Sequence, residues 1–180
     1  LDALTEGDYN TALGYASLGA NTTGSNNTAV GRYSLWKNTI GSSNTAIGDY
    51  AMKQFRGTNV DYGTYNTAVG RSSQRGPNDD NSYSTGLYNT SVGSGSLKVI
   101  TTGYGNTAVG YYSQYGNTIT GFKNTSVGAH SMEDIISGQA NTAVGYDALN
   151  SLTSGRYNNA MGNYSLPKNK TGWYNTAIGN

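Results

Sequence analysis

The chain has 180 residues, about half of them Gly, Asn, Thr or Ser, while Leu, Ile, Val and Phe together make only 27. Such a composition disfavours helices and cannot fill a globular core of the size this length would allow, so order must come from backbone pairing and regular stacking. The 11 basic against 10 acidic side chains argue against a nucleic-acid partner, the lack of cysteine removes disulfides and thiolate metal sites, and no apolar run approaches a membrane span.

Along the chain one five-residue unit returns ten times: Asn-Thr, then Ala or Ser, then an apolar residue, then Gly, with Asn159 replacing Thr in the ninth copy. The copies start at Asn10, Asn27, Asn44, Asn66, Asn89, Asn106, Asn124, Asn141, Asn158 and Asn175. Their basic spacing is 17 residues, lengthened by five and six in two neighbouring units. With the Asn as position 0, a glycine stands at position 4 and another three residues before the Asn in every copy. Fixed glycines of this kind predict two chain reversals per repeat, so each repeat is expected to be one coil of a solenoid.

Between the reversals, a short strand is predicted over positions 0 to 3. Its apolar residue at position 3 (Leu13, Val30, Ile47 and their equivalents) is expected to enter a thin interior, with the small residue at position 2 facing closely approaching chain on the other side. A second strand is predicted to follow, with Ser or Ala at position 7 and, at position 8, Leu18, Leu35, Met52, Gln74, Leu97, Gln114, Met132, Leu149 or Leu166. The expected fold is therefore all-β: a single array over residues 1–180, a parallel β-solenoid of about ten 17-residue coils. Two such apolar residues per coil give roughly 3 to 6 kcal/mol of burial, too little to offset the ordering of the backbone. Lateral contact with identical copies is expected to supply the rest, most simply in a parallel homotrimer.

Enlarged loops fall at 53–62 and 74–85, at one corner of adjacent coils, and charge gathers there. Lys53, Arg56, Arg71, Arg75, Asp79 and Asp80 are therefore candidates for an interaction surface, since insertions in solenoids often build the binding face. Of 16 tyrosines, five stand immediately before the repeat Asn, among them Tyr65 and Tyr88, which join the same candidate surface. They either stack on sugar rings or stack on each other from coil to coil. His130, the sole histidine, occupies a slot that Tyr fills in several other coils and reads as a surface residue, and Glu133 beside Asp134 reads as a solvated pair. No catalytic constellation, cofactor motif or metal-ligand spacing stands out, and the chain reads as non-enzymatic.

With Asn26-Asn27-Thr28-Ala29-Val30-Gly31 followed by Arg32-Tyr33-Ser34-Leu35, the repeat resembles the head repeat of trimeric autotransporter adhesins, and similar tandem units occur in bacteriophage tail-fibre shafts. That resemblance implies a left-handed β-roll wound as a homotrimeric fibre, extracellular, on a cell surface or on a virion, serving adhesion or display toward a host-surface glycan or protein receptor. The two ends fall at nearly the same phase of the coil, so the chain reads as part of a longer array or as a subunit that stacks end to end. A self-stacking extracellular filament and a polysaccharide-depolymerising tail spike are the alternatives.

Overall fold

The computed structural model describes residues 3–57, 63–78 and 82–180. Ten three-residue strands, β1 (Thr11–Leu13), β2 (Thr28–Val30), β3 (Thr45–Ile47), β4 (Thr67–Val69), β5 (Thr90–Val92), β6 (Thr107–Val109), β7 (Thr125–Val127), β8 (Thr142–Val144), β9 (Asn159–Met161) and β10 (Thr176–Ile178), form one parallel sheet in chain order. Every pair keeps the register of the repeat, Thr on Thr (or on Asn159 in β9), Ala on Ala or Ser, apolar on apolar, and this holds across both insertions, as in Thr45–Thr67 and Thr67–Thr90. The molecule is thus the all-β parallel solenoid that the period predicts, one coil per repeat.

The asparagines explain why the register cannot slip. The repeat asparagines from Asn27 to Asn158 are buried, with the two terminal ones, Asn10 and Asn175, more open, and from Asn10 to Asn158 each side-chain oxygen accepts the backbone N–H of the Asn one coil on, as in Asn27 N to Asn10 Oδ1 at 3.0 Å and Asn158 N to Asn141 Oδ1 at 3.0 Å. In eight of the ten copies the amide nitrogen donates to the carbonyl of the glycine that precedes the next strand, as in Asn106 to Gly121 at 2.8 Å. A side chain that pairs with itself along the axis satisfies buried polar groups only when all copies are aligned.

The two glycine slots have different causes. At position 4 the backbone lies at φ between 122 and 136°, and a Cβ on Gly110 would stand 2.5 Å from the carbonyl oxygen of Gly128. At the slot before the Asn most glycines keep negative φ, Gly63 excepted, and what excludes a side chain is approach: a Cβ on Gly86 would be 2.3 Å from the Gly103 oxygen. That slot is a close contact between coils rather than a reversal that needs positive φ, which corrects half of the expectation.

The second predicted strand does not form. Positions 5 to 9 run as turns in which positions 6 and 8 sit at positive φ (Tyr33 55°, Leu35 49°; Tyr112 54°, Gln114 49°) while their N–H groups pair in opposite directions along the axis. Tyr112 N donates back to Ser94 O at 3.1 Å and Gln114 N donates forward to Ser131 O at 3.0 Å. Left-handed backbone at a leucine costs on the order of 1 to 2 kcal/mol. It persists because it turns the position 8 side chain inward, where Leu18, Leu35, Leu97 and Leu149 are fully buried. The position 7 serines fasten this side to the sheet, Ser17 and Ser34 each donating at 2.8 Å to the position 2 carbonyl of the following coil.

The core accordingly holds other residues than expected. The small position 2 residues face inward against position 8, and a further inner column, Phe55, Ile100, Ile119, Ile135 and Leu152, closes the section. The position 3 apolar residues face outward, and Leu13, Ile47, Val92, Val127, Met161 and Ile178 are all more than a third exposed. Strand alternation was right about which residues share a face and wrong about which face is inside: only Ala or Ser leaves room for a leucine from the opposite wall of so narrow a coil.

Candidate binding surface

The insertion corner collects cations on aromatic rings. Position 6 supplies Tyr33 and Tyr50 and position 9 supplies Trp36, Lys53 and Arg75, so that residues 17 or more apart in sequence become neighbours one coil apart. Tyr33 and Tyr50 stack with ring centroids 5.5 Å apart, and Trp36 meets Tyr33 edge-on at 5.2 Å. The Lys53 ammonium lies 5.2 Å from the Trp36 ring and 5.3 Å from Tyr50, the Lys37 ammonium 5.2 Å from Trp36, and the Arg32 guanidinium 4.9 Å from Tyr50. Tyr83, returning from the second insertion, carries Arg56 at 5.3 Å.

Backbone pairing fixes that return. Ser84 N donates to Gln54 O at 2.8 Å and Arg56 N donates to Ser84 O at 2.9 Å, so Tyr83 is delivered beside Arg56 by a β-bridge between Phe55 and Ser84. Trp36, Lys37, Arg56 and Tyr83 line an open groove of about 360 Å³ whose remaining wall is Gly19, Ala20 and Thr39. Arg32 forks onto Asp49, Nε to Oδ1 at 3.0 Å and Nη2 to Oδ2 at 3.2 Å, and this hydrogen bond, then the charge of Asp49, raises the guanidinium pKa further. Burial, then the neighbouring Tyr15 phenol, raises the pKa of Tyr33, so at physiological pH this ring stays neutral beside a charged Arg32.

Of the sequence-predicted surface residues, Lys53, Arg56 and Arg75 come together here. Arg75 also reaches Asn78, Nη1 to Oδ1 at 2.8 Å. Arg71 stands apart at position 5, exposed and near enough to Tyr111 to act on its phenol. Tyr65 and Tyr88 form their own column before the Asn, stacked at 5.7 Å and 7°. Tyr157 and Tyr174 repeat this arrangement at 4.9 Å and 10°, which is the coil-to-coil stacking alternative of the two readings. Asp79 and Asp80 lie outside the described residues. Arg32, Tyr33, Trp36, Lys37, Tyr50 and Tyr83 do not stand out in the sequence; positions 6 and 9 compared down successive repeats, rather than along each loop, align Tyr33, Tyr50 and Trp36.

A second groove, about 390 Å³, opens on the corner of later coils and is lined by Tyr115, Glu133, Asp134, Ile136, Ser151 and Lys170 among others. His130 is not the simple surface residue expected: it is half-buried, with Nδ1 2.9 Å from Glu133 Oε2 and ring contacts to Tyr111, Tyr112 and Tyr146. Among the described residues no helix is long and apolar enough to cross a membrane. No family model, curated protein or solved structure matches this chain.

Proposed function

We propose that the chain is a structural and adhesive module of an extracellular or virion fibre, in which parallel copies of the rod associate laterally as a homotrimer. The carrying observation is the outward face of the sheet, where one Thr (Asn159 in β9) and one apolar residue per coil repeat in register from β1 to β10. At roughly 4.8 Å per coil this stripe is about 45 Å long, a continuous apolar surface with no place in an isolated rod. Around a three-fold axis Val92 of three copies meets in one layer and Val109 in the next, one strand spacing away, so identical rods cover each other's stripe without any change of register.

Sedimentation of the purified chain tests this. A mass near three times 18.9 kDa is expected, and Val92→Lys with Val109→Lys should release monomers whose circular dichroism remains that of β-structure. A wild-type chain that sediments as a monomer at high concentration would remove the homotrimer.

The adhesive part rests on the cation–aromatic corner. Ammonium and guanidinium groups preset over rings, beside a groove, suit a glycan carrying carboxylate or sulfate groups, with sugar faces against Trp36 and Tyr83. Multivalent display on a stiff rod turns weak single contacts into attachment. Binding of the wild type to acidic glycans, lost on Lys53→Ala with Trp36→Ala and weakened by salt, is the expected result; equal binding to neutral glycans would count against it.

A further inference from the structure

His130, Glu133 and Asp147 sit one coil apart, yet their side chains converge. His130 and Asp147 occupy position 6 of successive coils, each in left-handed backbone (φ 57 and 53°) and each held by an N–H donated to the coil before, His130 to Tyr111 O at 2.9 Å and Asp147 to Ala129 O at 3.1 Å. Glu133 follows at position 9 of the first coil. One imidazole nitrogen and one oxygen from each carboxyl group all lie within 4.8 Å of one another, and His130 Nδ1 is 2.9 Å from Glu133 Oε2.

A second observation comes from Asn150. Its amide nitrogen has three oxygens around it, Glu133 Oε2 at 3.2 Å, Asp147 Oδ1 at 3.1 Å and the His130 carbonyl at 3.2 Å. An amide carries two hydrogens, so one of these acceptors is left short. The arrangement is a cage of acceptors around one point, currently held by a group with too few donors. Among the described residues no lysine or arginine pairs with either carboxylate. Three tyrosine rings, Tyr111, Tyr112 and Tyr146, pack edge-on around the imidazole with centroids 5.4 to 6.0 Å away, which limits its rotation and keeps water from its sides.

We propose that His130, Glu133 and Asp147 bind a divalent transition cation of the zinc type, pinning two successive coils together. Zinc takes nitrogen at about 2.0–2.1 Å and carboxylate oxygen at about 2.0–2.2 Å, which places tetrahedral donors roughly 3.4 Å apart. The observed donors need to close by about 1.5 Å at most, within reach of carboxylate rotation on a half-buried surface. Turning the Asn150 amide end for end replaces its donors with an oxygen and either completes the coordination or accepts from a bound water. One imidazole with two carboxylates selects zinc, nickel or copper over calcium and magnesium, which favour oxygen alone. The two negative charges are neutralised by the cation with His130 in its neutral form.

Calorimetric titration of zinc chloride into the chelator-treated full chain tests the site. One equivalent is expected with a dissociation constant of roughly 10 µM or below, uncompeted by calcium, together with a rise in melting temperature that grows with zinc concentration. His130→Tyr restores the residue that Tyr33, Tyr50, Tyr112 and Tyr164 supply at the same position, so it should fold as before. It should weaken zinc binding roughly a hundredfold or more and abolish the melting shift. Asp147→Asn keeps the shape of the site and should do the same. Absence of a stoichiometric site in the wild type overturns the proposal, as does unchanged binding by both folded variants or equal binding of calcium.

Discussion

The rungs of this solenoid come in two chemistries. In most of them a leucine or methionine at position 8 packs on an alanine at position 2 of the following coil, as Leu149 does on Ala160. In two of them the leucine is a glutamine and the alanine a serine. Gln114 Nε2 donates to Ser126 Oγ at 2.9 Å and to Thr107 O at 3.0 Å, and Gln74 Nε2 donates to Ser91 Oγ at 3.0 Å and to Thr67 O at 2.9 Å. These are also the only serines at position 2 anywhere in the array. The backbone is the same in both kinds: Leu149 and Gln114 share φ 49°, and their N–H groups make the same forward bond, at 2.9 and 3.0 Å. The coil therefore sets a shape and a partner, and leaves the polarity of the pair free provided that both members change together. One polar layer also separates the buried apolar residues into two clusters, Leu18 to Ala68 and Leu97 to Ala160. Gln74, Ser73 and Ser91 lie between them and are all buried.

Transplanting half of a polar rung should break the structure most. Leu149→Gln alone places an amide against Ala160, where no hydroxyl awaits it, and should cost about 3 to 5 kcal/mol in urea unfolding. Adding Ala160→Ser should return roughly 1 to 2 kcal/mol of that, because the hydroxyl restores one of the bonds. If the double variant is no more stable than the single, position 2 and position 8 are not a pair.

The asparagine column runs through both kinds of rung and should ignore the difference. Asn106→Ala removes the acceptor of Asn124 N (3.0 Å) and the donor to Gly121 O (2.8 Å), while Asn141→Ala does the same to Asn158 N (3.0 Å) and Gly155 O (2.8 Å). Each should cost about 2 to 4 kcal/mol by chemical denaturation. A large gap between the two would show that the polar rungs brace the column. Converting a polar rung to an apolar one should have a smaller effect and the opposite sign. Gln114→Leu with Ser126→Ala exchanges a buried network, including an unpartnered Gln114 Oε1, for the packing seen elsewhere, and is expected to be neutral or stabilising by about 1 kcal/mol. A loss above about 2 kcal/mol would mean that the glutamine does more than fill the slot.

What the amino-acid order revealed follows the same division. The period, the register and the Asn ladder were legible because each depends on one residue type recurring at one place. Val30 and Ile47 face outward against expectation because apolar character alone does not say which face is inner; the volume available does, and only the size of Ala29 and Ala46 carries that information. The turn side looks like a strand in sequence because Ser34-Leu35 alternates like one, while nothing in a leucine announces left-handed backbone. The cation–aromatic corner was half legible: Lys53, Arg56 and Arg75 lie in or beside the insertions, whereas Trp36 and Tyr33 belong to an ordinary coil and join only through stacking. The convergence of His130 and Asp147 was hidden for the same reason, since a gap of 17 residues is contact here and distance in most folds.

Outside the core the two chemistries should cease to matter, and the smallest effect predicted here lies there. The Tyr33 phenol is held above its ordinary value of 10.0, first by partial burial and then by the charge and hydrogen bond of Tyr15, with Arg32 pulling the other way. A raised folded-state value means that the neutral phenol is favoured by folding. Its contribution is present in full below pH 10.0 and is lost as pH rises through the higher folded value. Ultraviolet titration should therefore show three tyrosines ionising late in the wild type, Tyr33, Tyr111 and Tyr146, with the Tyr33 step missing in Tyr33→Phe. Tyr15→Phe should bring that late step down only part of the way, because burial by Trp36 and Tyr50 remains. Arg32→Ala should move it up, since the guanidinium lowers it. None of these changes should alter the unfolding midpoint at neutral pH by more than a surface substitution does, within about 0.5 kcal/mol. A larger shift would make the aromatic corner part of what holds the coils together, and the boundary between an inner frame and an outer display face would have to be drawn further out.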